Sequence, residues 1–341
     1  MYIMKRFFLS SLTLAALLFG APSHAIVFFN SDCLCGEKAA DDDTWGIDLT
    51  IYGGYVNGKS KELVYGTLGS ESSSSSSSDW TISKLDWKIN NLWVIGAVFK
   101  KTFFSDTIYF TVDGWTKVQA DKSTLVDKDY TDPFHPNRYT DISKSPDTKL
   151  DKAQWISGEL GFDFYKFMYR ESAINLRLSV GYQYNRWHWK SYGGSYKYNQ
   201  GEITGDFPNT LIIAYKQRLS IPYLALQMDW NWKEWDLSLF GKYSHKAYVN
   251  DHDFHALRNL VFTDKFKNGE FWALGVNGSV NLWNCGDALI DFTLKYSFEQ
   301  LNTTKGSTTI TGNNFSVSLD SESAGVEHYH QLIAFGFEAE F

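Results

Sequence analysis

Ten segments of the chain alternate apolar and polar residues, and this period of two restricts the possible folds more than any other feature. Every second residue is apolar or aromatic over residues 174–185, 290–299 and 333–341. Such a period is typical of a β-strand with one apolar and one polar face. The sequence therefore predicts an all-β fold with strands that start near residues 45, 81, 106, 151, 173, 208, 235, 266, 289 and 326.

The connections between these segments are alternately short and long. Short ones lie near residues 102–105, 168–172, 233–234 and 283–288, and long ones near 66–80, 119–150, 191–207, 251–265 and 303–325. Outer-membrane barrels have short periplasmic turns, long outer loops and an even strand number. A final strand that ends in Phe341 fits the terminal aromatic residue of such barrels. A soluble β-sandwich gives no reason for the combination of this asymmetry, a signal peptide and 17% aromatic residues. We predict a ten-stranded antiparallel transmembrane β-barrel with long extracellular loops, the first of which carries Ser72–Ser78.

The N-terminus predicts export. Lys5 and Arg6 precede an apolar stretch over residues 7–19, and the small-x-small pattern ends at Ala25. This is the pattern of a secretory signal peptide. Residues 1–25 are therefore a predicted signal peptide, and residues 26–341 a single barrel domain. A formal net charge of -7 argues against nucleic acid as a partner, and beyond residue 25 no apolar run is long enough for a spanning helix.

Three cysteines occur in the chain, namely Cys33, Cys35 and Cys285. The predicted topology brings all three to the periplasmic end of the barrel, and export leads to an oxidising compartment. We therefore predict a disulfide between Cys285 and either Cys33 or Cys35. Unpaired thiols are the alternative.

Acidic residues cluster in two of the predicted outer loops. Asp127 and Asp129 lie two residues apart, as do Asp253 and His255, so each pair faces one side of an extended segment. A carboxylate beside an imidazole orients the ring and makes it a stronger general base for water. Two close carboxyl groups can share a proton. Solvation of the loops and a calcium or other metal site remain alternatives for the same carboxylates.

Nine short motifs, in order along the chain, resemble those of the omptins, the outer-membrane proteases of Gram-negative bacteria. They are GKSKELVY (58–65), SKLDWKINN (83–91), VDKD (126–129), YTDISKSPDT (139–148), GYQ (181–183) with Arg186, GGSY (193–196), YKQR (215–218), DHDFH (251–255) and AGVE (324–327). The resemblance covers nearly the whole exported chain. It implies a barrel in the outer membrane whose extracellular rim is an endopeptidase with no cofactor and no metal.

The resemblance also implies roles for individual residues. Asp253 and His255 match the pair that activates the attacking water, and Asp127 and Asp129 match the pair that assists from the opposite wall. No covalent nucleophile is needed.

Two further positions, Glu62 and Asp251, match the acidic residues that bind the basic side chain of the substrate. The implied substrates are peptides or proteins cut at basic residues. An ion pair of Glu62 with Lys59 or Lys61 is the structural alternative.

The resemblance implies that lipopolysaccharide activates the enzyme through Tyr182, Arg186, Arg218 and Lys267. The residues themselves agree for Arg186, which continues the apolar register of its strand, because a lipid-facing cation needs an anionic partner. The chain departs from the family pattern at Tyr139, Ser145 and Tyr184. A closed barrel with no free edge predicts a monomer. A silent adhesin or invasin barrel is the alternative function, and ten strands enclose too narrow a lumen for a general porin.

Overall fold

A computed structural model describes residues 46–67, 79–104, 107–285, 288–319 and 322–340. The predicted signal peptide, Cys33, Cys35 and the serine run Ser72–Ser78 lie outside these residues, as does the side chain of Cys285. The cleavage site and the disulfide therefore stay predictions.

The described residues are almost entirely β-strand. The strands are β1 (Ile47–Thr67), β2 (Asp79–Phe103), β3 (Ile108–Ala120), β4 (Ser123–Asp129), β5 (Asp141–Tyr169), β6 (Ser172–Tyr198), β7 (Ile203–Trp232), β8 (Trp235–His255), β9 (Leu260–Cys285), β10 (Ala288–Thr311), β11 (Ser316–Ser318) and β12 (Ala324–Glu340). One 3₁₀ turn, Asn199–Gly201, joins β6 to β7. None of the described residues forms a helix long and apolar enough to cross a membrane.

The strands close into an antiparallel barrel. Consecutive strands pair, except β3 with β4 and β11 with β12, and β12 closes the ring by pairing with both β10 and β1. β3 and β4 occupy one position between β2 and β5, because each of them pairs with both of these strands and only residues 121–122 separate them in the chain. β11 is a short addition to the end of β10. Ten strands therefore surround the lumen, and the prediction of a ten-stranded barrel is confirmed.

The two ends of the barrel differ as the sequence predicts. At one end, called the turn end here, connections are tight: β5 meets β6 at residues 170–171 and β7 meets β8 at 233–234. Arg170 and Lys233 adopt the left-handed backbone conformation that such turns use, with φ of 55° at both. At the other end, called the loop end here, many residues predicted as loops are paired strand. β8, for example, continues to His255 before a turn at 256–259.

The strands are much longer than a membrane requires. β5 has 29 residues and β7 has 30, whereas about 9–11 tilted residues cross a bilayer. The outward face is apolar only toward the turn end, where Leu178, Val180 and Leu226 are 40–55% exposed. On β6 this belt ends at Tyr182, and the next outward residues are polar. The strands therefore extend past the lipid and form a second, solvated half of the barrel at the loop end.

The interior has a polar half and an aromatic floor. Toward the turn end, a cavity of about 600 Å³ is lined by paired charges such as Arg177 with Asp163, whose Nε and Oδ1 lie 2.7 Å apart. Beyond it lies a layer of four fully buried rings, called the aromatic layer below. Its stacked pairs include Trp87 on Tyr215, with centroids 5.1 Å apart; the layer comprises Trp87, Trp187, Trp189 and Tyr215. The groove at the loop end rests on this layer.

Candidate active site

The Asp253–His255 pair lies at the loop end of β8. Asp253, His255 and Asp251 face the groove because side chains two apart share one face of a strand. The Nε2 atom of His255 and Oδ2 of Asp253 are 2.6 Å apart, and Asp253 is 1% exposed. A buried carboxylate in this position fixes the orientation of the ring. The predicted pair therefore exists as a hydrogen-bonded unit.

The second nitrogen of this imidazole also has a partner. Nη2 of Arg258, in the turn after β8, contacts Nδ1 of His255. Because a guanidinium is only a donor, Nδ1 accepts this bond and Nε2 carries the proton directed at Asp253. Arg258 is exposed and the His255 side chain is 12% exposed. Nδ1, the nitrogen that could take a proton from water, is thus covered by Arg258, whose side chain is exposed to solvent.

Asp127 and Asp129 lie on β4, which pairs with both β2 and β5. Burial raises the pKa of Asp127 to about 8, and the charge of Asp129 adds to this rise. Burial also raises the pKa of Asp129, against the hydrogen bond from Ser83. Asp127 therefore keeps its proton near neutral pH, beside a second carboxyl whose pKa is also raised.

The two pairs face one another across the groove. β4 and β8 lie on opposite walls of the barrel, with β6 and β7 among the strands between them. The charge of Asp253 raises the pKa of Asp127, and the charge of Arg258 lowers it. Arg258 and His255 likewise act on Asp129. A base on one wall and a protonated carboxyl on the other can act on one polar bond between them.

Glu62 and Asp251 are buried below these pairs. Glu62, on β1, is 4% exposed and Asp251 is 2% exposed. The Tyr215 hydroxyl donates to Asp251 Oδ2 over 2.5 Å, and Gln217 Nε2 donates to the Tyr215 hydroxyl over 2.9 Å. Burial raises the pKa of Glu62 well above its usual value, and the charges of Asp253 and Asp264 add to this.

The structural alternative for Glu62 fails. Lys61 pairs with Glu327, with Nζ and Oε1 2.5 Å apart, and Lys59 pairs with Asp86 at 3.4 Å. Glu62 Oε2 has no hydrogen-bond donor among the described residues. A buried carboxylate oxygen without a donor is a costly arrangement unless a cation enters.

Two site residues escaped the sequence analysis, Asp264 and Arg258. Asp264 was assigned to a loop, yet it lies on β9 directly opposite Asp251 and is 3% exposed. Burial raises its pKa to about 6. The sequence signal for Asp264 is its spacing of two residues from the inward Phe266 on the same strand. Arg258 lies in a turn, where the two-residue period of a strand gives no prediction.

The four predicted lipid contacts lie on the outer surface. Arg186 and Arg218 are directly opposite one another on β6 and β7, and both point outward. Tyr182 is 52% exposed at the rim of the apolar belt. Lys267 is exposed on β9, two strands from Arg218. Like charges directly opposite are unfavourable unless an anion bridges them, so the pair Arg186–Arg218 has the chemistry of an anion site.

The three departures from the family pattern have separate environments. Ser145 is 2% exposed and its hydroxyl donates to the Gly193 carbonyl over 2.8 Å. Tyr139 is 43% exposed, and Lys128 Nζ lies 5.2 Å from its ring centroid. Tyr184 faces outward between Tyr182 and Arg186. Among the described residues, no group of three or more His, Cys, Asp or Glu side chains is arranged to hold a metal ion.

Comparison with known proteins gives one consistent result. A family model described as the Omptin family matches residues 43–341. The plasminogen activator of Yersinia pestis is 26% identical over 84% of this chain and 87% of its own length. Outer membrane protease OmpP of Escherichia coli is 27% identical over 96% of this chain and 99% of its own length. The crystal structure of outer membrane protease OmpT from Escherichia coli superposes with a TM-score of 0.74 at 25% identity, covering 86% of this chain and 96% of that one.

Proposed function

The chain belongs to the omptin family of Gram-negative outer-membrane proteins, and from this premise we propose that it is an extracellular endopeptidase that cleaves peptides beside basic residues. The observation that carries the proposal is the Asp253–His255 hydrogen bond of 2.6 Å on one wall, opposite Asp127 and Asp129 on the other. A binding barrel needs no such juxtaposition of base and acid.

The proposed reaction is direct attack of water on the peptide carbonyl. His255 Nδ1 takes a proton from water as its oxygen bonds to the carbonyl carbon, and Asp253 stabilises the imidazolium. The proton held by Asp127 and Asp129 stabilises the oxyanion. The imidazolium then protonates the leaving amine as the C–N bond breaks, which yields an amine and a carboxylic acid that releases its proton to solvent. Arg258 must leave Nδ1 before the first step.

The proposed specificity rests on buried carboxyl groups that ionise when a cation enters. Glu62 and Asp251 lack enough donors to satisfy their oxygens, and an entering ammonium or guanidinium supplies them. We further propose that lipopolysaccharide phosphate binds between Arg186 and Arg218, with Tyr182 and Lys267 at the edges. Binding there ties β6 to β7, and β7 adjoins the catalytic β8 through Tyr215 and Asp253. The lipid is thus an activator and not a cofactor in the reaction.

A quenched peptide with a central Arg-Arg bond tests the proposal. Mature protein, refolded in detergent, is assayed with and without lipopolysaccharide, beside His255→Ala. The matched control is His135→Ala, since His135 forms a second but exposed pair with Asp132 at 2.8 Å. We expect lipid-dependent cleavage in wild type and control and none in His255→Ala. A folded wild type that cleaves nothing would favour an adhesin or invasin function, and equal activity of His255→Ala would overturn the mechanism.

A further inference from the structure

Three carboxylates from three strands meet below the catalytic pairs. Asp251 on β8 and Asp264 on β9 are direct cross-strand partners, which brings their Cβ atoms to about 4.5–5.5 Å. Glu62 approaches from β1, and the charges of Asp264 and Asp251 both act on it. These three side chains are called the carboxylate pocket below. Thr308 on β10 lies opposite Asp264 and extends the polar wall.

The carboxylate pocket is buried, and the described residues satisfy its oxygens only in part. Glu62, Asp251 and Asp264 are 4%, 2% and 3% exposed, so water reaches none of them freely. Glu62 Oε2, Asp251 Oδ1 and Asp264 Oδ1 have no hydrogen-bond donor among the described residues. Three buried acceptors without donors are unfavourable in the empty pocket. The arrangement is therefore built for a ligand that carries both positive charge and several N–H groups.

The positions of these oxygens favour one cation chemistry. Asp251 and Asp264 stand side by side on neighbouring strands, whereas Glu62 comes from a different wall. A guanidinium presents five N–H donors in a planar fork, and can bond two adjacent carboxylates along one edge and a third from the other. An ammonium has to bring a single nitrogen within hydrogen-bond distance of all three.

We propose that Asp264 is a specificity-determining residue, a third carboxylate that makes this pocket select an arginine side chain over lysine and over neutral residues. The inference rests on the proposed peptidase function and deepens it. Asp264 takes no part in the bond-breaking steps. Its contribution to specificity is its charge and not its size, so Asp264→Asn, which keeps the size and shape of the side chain, removes that contribution.

Three peptides that differ at one position separate charge from shape. They carry arginine, lysine or citrulline before the scissile bond, and citrulline is the neutral isostere of arginine. Wild type, Asp264→Asn and Asp264→Ser are compared by kcat/KM in the presence of lipopolysaccharide. Asp206→Asn is the matched control, because it removes one carboxylate from an exposed position at the same end of the barrel. Unheated gel mobility and far-ultraviolet circular dichroism check the fold of each variant.

We expect Asp264→Asn to lower kcat/KM for the arginine peptide by about 10- to 100-fold, the loss typical of one charge-assisted hydrogen bond. The citrulline peptide should change by less than about threefold, and the arginine-to-lysine ratio should fall. The control should match wild type. Equal losses on all three peptides, or unchanged ratios in both Asp264 variants, would overturn the inference. A wild type inactive on every peptide would instead overturn the proposed function.

Discussion

Replacing Asp127 with asparagine should stabilise the barrel at alkaline pH while it inactivates the enzyme. Burial raises the pKa of Asp127 to about 8, far above its value in an unfolded chain. The folded protein therefore binds this proton more tightly than the unfolded chain does. Between pH 4 and pH 8 the free energy of unfolding then falls as pH rises, because ionised Asp127 is favoured only after unfolding.

The size of the effect follows from that pKa. Each pH unit between the two pKa values costs about 1.4 kcal/mol, so full conversion gives an upper limit of about 6 kcal/mol at pH 8. The recovered amount is smaller, because the Asp127 side chain keeps partial contact with solvent and Asp129 can take over the shared proton. We expect Asp127→Asn to raise the free energy of unfolding by about 1–3 kcal/mol at pH 8.5 and by less than about 0.5 kcal/mol at pH 4.5.

Equilibrium unfolding in guanidinium measures this directly. The 13 tryptophans, three of them in the aromatic layer under the site, give a fluorescence signal for detergent-solubilised protein. Asp206→Asn again serves as the exposed control and should match wild type at both pH values. A stability equal to or below wild type at pH 8.5 would refute the reasoning, and so would an equal gain at both pH values.

Four further predictions concern activity. Asp253→Asn should lower kcat by about 10²–10⁴, as loss of an oriented base does; stopped-flow or steady-state cleavage checks this, and an unchanged kcat contradicts it. Arg258→Gln should shift to higher pH the limb of the pH–rate profile that reports Asp127 and Asp129, because the charge of Arg258 lowers the pKa of each. An unchanged profile would contradict this interaction of Arg258 with the aspartate pair. Arg186→Ala and Arg218→Ala should each raise the lipopolysaccharide concentration for half-maximal activity, with Lys233→Ala, exposed at the turn end, as the unaffected control. A chelator should leave cleavage unchanged, whereas a metal mechanism predicts its loss.

The sequence alone determined the barrel. A period of two predicts the strands and their faces, because residues that face the lipid are apolar and the alternate residues, which face the lumen, are polar. The tight turns at 170–171 and 233–234 follow from the breaks between such segments. The same strand geometry predicts that Asp253 lies beside His255, because residues i and i+2 project from one face whatever the strand pairs with.

The period of two fails beyond the lipid. There both faces of a strand meet water or a polar groove, so β4 and the ends of β8 and β9 do not alternate apolar with polar residues, and the sequence predicts loops in their place. Asp264 was missed for this reason.

Only the tertiary structure decided which residues face one another. The register between strands placed Asp264 opposite Asp251 and Arg186 opposite Arg218, and closure of the ring set Asp127 across the groove from Asp253. A strand's sequence specifies which of its side chains point inward, but the partner at each height depends on pairing and on barrel closure. The sequence therefore predicts the pairs Asp127–Asp129 and Asp253–His255, whereas the groove and its carboxylate pocket form only when the barrel closes.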